Sequence, residues 1–205
     1  ASEWYRSHTR PDMDRRQKAL DGLRDLTTLY NRANVCVACH QALDPEILKA
    51  GHPELIFELD GQTAAMPRHW REQDPDVRPK AWLTGQAAAL REVTAQLLKQ
   101  KSSESISSRT FDQWQSLLWI LTRSVPGHDL AQISTNAAAS TNGLRQLHEL
   151  SEKLALGASA LALQTNFVSN TLVSLAKTSG EFATQKNSAD LSSRAERLVL
   201  ALDRL

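Results

Sequence analysis

The sequence predicts an all-α fold, and three observations carry that prediction. Apolar residues recur at three- and four-residue steps through most of the chain, the period of an amphipathic helix. No stretch of β-branched residues alternates with period two, the mark of a strand. Only 8 Gly and 7 Pro interrupt 205 residues, which leaves room for long uninterrupted helices. The C-terminal two-thirds then reads as a helical bundle.

The first helical pattern runs from Asp12 to Asn34, opened by Pro11 and Asp12, with Leu20, Leu23, Leu26, Thr27 and Tyr30 on one face. Asp44-Pro45 opens a short stretch that ends near Gly51. His52-Pro53 begins another, Glu54 to about Asp60, closed by Gly61. Proline suits a first helical turn and glycine its exit. From Met66 to Pro79 the chain reads as irregular, because Pro67, Pro75 and Pro79 forbid a continuous helix. From Trp82 the pattern strengthens. Leu83, Ala87, Leu90, Thr94 and Leu97 form one face, and a Ser-rich connector follows over Ser102–Ser108. Phe111, Trp114, Leu117, Leu118 and Leu121 mark the next helix, ended by Pro126-Gly127. Leu130 to Leu156 carries a stripe of Leu144, Leu147, Leu150 and Leu154. Leu161, Phe167, Leu172 and Leu175 lead up to Gly180, and Leu191, Leu198, Leu202 and Leu205 mark the last helix. The change of character near Trp82 divides the chain into an N-terminal segment, 1–82, and a bundle, 83–205.

Composition excludes two classes of partner. Net charge is +1, and no basic stripe with interleaved aromatics marks a nucleic-acid surface. No apolar run reaches the roughly 20 residues needed to span a bilayer.

The chemistry lies in Cys36-Val37-Ala38-Cys39-His40, which holds the only two cysteines of the chain. C-x-x-C-H is the form of a c-type haem attachment site. Two residues between the thiols let both reach the haem vinyl groups as thioethers, and the adjacent imidazole becomes the proximal iron ligand. A thioredoxin-like redox pair needs a βαβ context that is not visible. A zinc site needs four ligands, so His52 and His69 would have to be recruited in an unusual pattern. A disulfide over so short a loop would leave His40 without a role. The reading is one covalent haem c held by Cys36 and Cys39. Such attachment takes place outside the bacterial cytoplasm. The opening Ala1-Ser2-Glu3 therefore reads as a mature exported, periplasmic product or an excised domain.

The opposite face of the iron decides the function. The candidate ligands are His52, Met66, His69 and His8, with His52 favoured. It lies twelve residues after His40 and is aimed by the constrained backbone between Gly51 and Pro53. Met66 precedes Pro67 in an irregular segment suited to presenting a thioether. His128 and His148 read as structural or exposed. Trp70, Trp82 and Phe57 are candidates to pack on the porphyrin, and Arg68 and Arg71 to pair with its propionates, against the alternative of a solvated charged loop. Trp114 and Trp119 read as core.

The run Ala50-Gly51-His52-Pro53-Glu54-Leu55-Ile56-Phe57-Glu58-Leu59-Asp60, followed by Pro67-Arg68-His69-Trp70, resembles a segment of multihaem c-type cytochromes. There an attachment motif is followed by A-G-H-P-x-L-x-F-E-L and then P-x-H-W. Trp4-Tyr5-Arg6-Ser7-His8 is similar to their W-x-x-S-x-H segment in shortened form. The resemblance covers roughly residues 1–100. It implies a periplasmic electron-transfer protein with His/His axial ligation, and it favours His52. Those proteins carry several attachment motifs where this chain has one.

Two function classes follow. The first is a single-electron carrier, not an enzyme, that docks on redox partner proteins. The alternative is a haem-based small-ligand sensor or peroxidase-like enzyme with an open or displaceable distal site. Small residues over Ser134–Gly143 and Leu156–Asn170 suit close helix packing, and the C-terminal helices are candidates for a homodimer contact.

Overall fold

The computed structural model describes residues 3, 9–41, 43, 45–52, 56–61, 72, 76–102, 108–125, 130, 137, 140–160, 163–184 and 189–205. Among them are nine α-helices and no strand, so the fold is all-α, a helical bundle. The helices are α1 (Arg15–Leu20), α2 (Leu29–His40), α3 (Pro45–Lys49), α4 (Val77–Ser102) and α5 (Ser108–Ser124). They continue with α6 (Thr141–Ala160), α7 (Phe167–Ala176), α8 (Ser179–Thr184) and α9 (Ala189–Arg204). No described helix is long and apolar enough to cross a membrane.

Helix α4 is the hub. It packs on α2, α5, α6 and α9, most extensively on α6. Its composition explains why one helix serves so many neighbours. Every residue from Ala81 to Leu90 is buried, and five of those ten are Ala or Gly. Small residues bring neighbouring backbones close on every side. A Cβ at Gly85 would lie 2.8 Å from the Cβ of Leu59, which anchors the 56–61 segment against the hub. Trp82 and Phe57 are sealed completely in this core.

The helix begins earlier than the proline pattern predicts. Pro79 sits in its first turn, where the backbone amide has no intrahelical acceptor in any case. The division at 82/83 therefore falls inside one continuous helix.

At the N-terminus the predicted helix 12–34 is two helices. Asp14 caps α1 by accepting from the Gln17 amide at 2.8 Å, while the Gln17 side chain accepts from the Asp14 amide. Gly22, with φ of +96°, turns the chain out of α1, and the Thr28 hydroxyl caps α2. Leu20 is 81 % exposed and belongs to no core face. The periodicity continued across a break made by local turn chemistry. Likewise the final leucine stripe is only partly internal. Arg197 and Ala201 take the core-facing positions of α9, and Leu202 points to solvent. Of the predicted stripe along α6, Leu144, Leu147 and Leu154 are buried and Leu150 is half-buried; on the inner face of α5, Trp114, Leu117, Leu118 and Leu121 are buried and Phe111 is half-buried.

Candidate functional site

Helix α2 carries the motif in its last turn and a half, rather than ending at Asn34 just ahead of it as the hydrophobic pattern suggests. At roughly 100° per residue, Cys36, Cys39 and His40 fall within an arc of about 100° on one side of the helix. Leu29, Ala33 and Val37 are buried along the adjoining direction. Cys36 and His40 therefore lie at the margin of the core face, while Cys39 turns outward. Burial follows this geometry: Cys36 is half-buried against the core, His40 is half-buried, and Cys39 is exposed. Both cysteines are free thiols.

Burial raises the Cys36 thiol above its ordinary pKa. The Arg32 guanidinium one turn earlier opposes the rise, and Cys39 adds slightly to it. Arg32 is itself buried, donating to the Leu26 carbonyl at 3.0 Å and pairing with Glu72 at 2.8 Å. His40 Nδ1 is buried without a hydrogen-bond partner, although the ring as a whole stays partly exposed. Next to it, Gln41 is buried and donates from Nε2 to Gln113 Oε1 of α5 at 3.3 Å. Among the described residues no three His, Cys, Asp or Glu side chains converge in the manner of a metal-ion cage.

A polar clamp holds this helix in place. Tyr30 of α2 donates to Glu152 of α6. Arg91 of α4 donates to Asn34 of α2 and to Glu152, both at 2.6 Å. Burial alone would raise the Glu152 carboxyl, but the bonds from Tyr30 and Arg91 outweigh it and hold it below its usual range. These four residues come from three helices, and nothing in their sequence spacing announces them.

Of the predicted distal ligands, His52 is described. It follows α3 and Gly51, whose φ is +93°, and its amide donates to the Ile47 carbonyl at 3.2 Å. Its side chain is exposed. Met66, His69 and His8 lie outside the described residues, as do Arg68, Trp70, Arg71 and His128. His148 sits half-buried on α6.

A second polar centre, also absent from the sequence reading, lies where Ile56–Gly61, α4, α5 and α9 meet. Gln86 donates to Glu58 Oε1 at 2.5 Å and accepts from Arg197 Nη1 at 3.2 Å. Arg197 Nε donates to Ser116 Oγ at 3.0 Å. All four side chains are buried. They stand beside a groove of about 1320 Å³, lined in part by Glu58, Ser116 and Arg197 and reaching Gln113, the partner of Gln41.

Compared with known proteins, the chain matches no family model, and neither a curated protein nor a solved structure shows significant similarity to it.

Proposed function

We propose that this chain carries one haem c, bound through Cys36 and Cys39 with His40 as proximal ligand, and serves as a periplasmic single-electron carrier. The observation that carries the reading is the shared face: two free thiols and an imidazole lie on one arc of α2, at the edge of the core. The donor set suits the group. Thiols one helical turn apart, about 5–6 Å between Cβ atoms, can reach two vinyl groups of one macrocycle. The buried Nδ1 of His40 has no hydrogen-bond partner in the protein, an orphaned polar atom that a bound group could satisfy. Bound there, the group supplies an iron that cycles between ferric and ferrous.

The protein's own residues have separable tasks. Cys36 and Cys39 fix position, one from the core margin and one from the surface. His40 would hold the iron as its first protein ligand, and His52 is the first choice for a second, with Met66, His69 and His8 as alternatives. The Tyr30–Glu152–Arg91–Asn34 clamp keeps α2 from shifting, which limits reorganisation when charge changes. Redox partner proteins meet the exposed side near Cys39.

The test is production of the exported full chain in a host that matures c-type cytochromes, followed by a denaturing gel stained for haem and by absorption spectra. Haem that stays on the denatured chain, and is lost when Cys36 and Cys39 are changed to Ser, supports the proposal. A chain that emerges without haem under those conditions overturns it. With haem attached, a low-spin spectrum unchanged by carbon monoxide supports the electron carrier. Carbon monoxide binding to the ferrous protein moves the reading to the sensor or peroxidase-like alternative. His52→Ala turns the iron high-spin if His52 is the distal ligand.

A further inference from the structure

We propose that the groove between α5, α9 and the 56–61 segment binds a small organic carboxylate with an apolar body, held by Arg197. This goes beyond the haem reading and does not depend on it.

Arg197 is 3 % exposed, yet among the described residues no carboxylate stands within ion-pair distance of it. Its two hydrogen bonds go to neutral groups, Ser116 Oγ and Gln86 Oε1. A guanidinium has five N–H donors, so this fork is only part used. Buried cations are normally paired, because desolvating one is costly. Glu58 and, more weakly, Glu196 compensate the charge of Arg197 from beyond ion-pair distance, with the Gln86 amide bridging Arg197 to Glu58 by hydrogen bonds. Glu58 is itself incomplete: its Oε2 is buried with no hydrogen bond and lies 3.8 Å from Arg204 Nε, which also has none. Two arginines with unused donors thus flank the same groove.

The groove supplies the rest of the specificity. Its volume of about 1320 Å³ is ample for a small molecule. Ile56, Val199 and Leu200 line it with apolar surface, which an inorganic anion would leave unused. The planar fork of Arg197 matches the two oxygens of a carboxylate.

Glu58 would tune the affinity. Burial pushes its carboxyl up to about 7, against the pull of Arg197, Gln86 and Arg204. Asp60 beside it adds to the rise, and α4 faces it with the uncharged Gln86. Along the groove, α5 contributes Arg109 and Asp112, and α9 contributes Glu196. Below neutrality Glu58 gains its proton, its repulsion of an incoming anion disappears, and binding tightens.

The experiment is isothermal titration of the full chain with hexanoate and, separately, with inorganic phosphate, at pH 6 and pH 8. Hexanoate should bind several-fold more tightly at pH 6 than at pH 8, and phosphate at least roughly tenfold more weakly, for want of apolar contact. Arg197→Met should lose hexanoate binding. Glu58→Gln should bind at pH 8 as the unaltered chain does at pH 6, and this variant decides the matter if Arg197→Met does not fold. The proposal is overturned if hexanoate gives no binding at millimolar concentration, if phosphate alone binds, or if Glu58→Gln leaves the pH dependence intact.

Discussion

Replacing Glu58 by Gln should make the protein more stable above neutral pH and leave it nearly unchanged in acid. In the folded chain burial raises this carboxyl from 4.5 to about 7, with Arg197, Gln86 and Arg204 pulling the other way. The folded state therefore holds the proton more tightly than the unfolded state. The stability this gives is fully present below about pH 4.5 and is lost as pH rises through about 7. At about 1.4 kcal/mol per pH unit, the span corresponds to about 3 kcal/mol. Glutamine keeps the shape and an amide in place of the acid, and it has no charge to bury. At pH 8 the variant should thus exceed the unaltered protein by up to about 3 kcal/mol, less whatever Arg197 loses when its distant counter-charge is gone. For a chain of this length each kcal/mol moves Tm by about 2–4 °C, so the gain is several degrees. Thermal and urea unfolding of both proteins at pH 5, 6, 7 and 8 checks it. Asp25, Glu152 and Glu181 have lowered carboxyl pKa values and tilt the absolute curve the other way. They are common to both proteins, so the difference between the two curves isolates Glu58. A difference that does not change with pH would refute the argument that burial holds this carboxyl up.

Other perturbations probe the hub and the clamp. Gly85→Ala should destabilise by about 1–3 kcal/mol in urea unfolding, because its new Cβ meets Leu59 Cβ at 2.8 Å and the Leu59 amide nitrogen at 3.2 Å. Tyr30→Phe should cost about 1 kcal/mol, and a double-mutant cycle with Glu152→Gln should show coupling between the two sites; additivity would mean that the clamp carries no energy. Thr28→Ala should cost about 1 kcal/mol by removing the cap of α2, with faster amide hydrogen exchange in its first turn.

The all-α class, most of the leucine stripe of α6, most of the inner face of α5 and the spacing of the C-x-x-C-H residues were legible along the chain. Each depends on neighbours within one or two turns: a 3.6-residue period, or a C-x-x-C-H spacing that holds whatever the remainder does. The failures were of two kinds. Local turn chemistry at Gly22 and Thr28 split a helix whose hydrophobic period ran on, and the tolerance of a first turn for proline let α4 start ahead of Pro79. The other failures were long-range. Along the chain Glu58 stands out only within the run that resembles multihaem cytochromes, and Arg197 lies between the leucines that mark the last helix. Packing brought them to either side of Gln86.

The sequence by itself determined which residues can do chemistry: two thiols and an imidazole at fixed spacing, on whatever element carries them. Only the tertiary structure decided that Cys36 sits at the core margin while Cys39 faces out, that Tyr30, Asn34, Arg91 and Glu152 pin their helix, and that Arg197 is buried beside a groove. The physical reason is that burial and long-range pairing are properties of packed surfaces. They arise when α4 gathers its neighbours, and no local period encodes which side chains then meet.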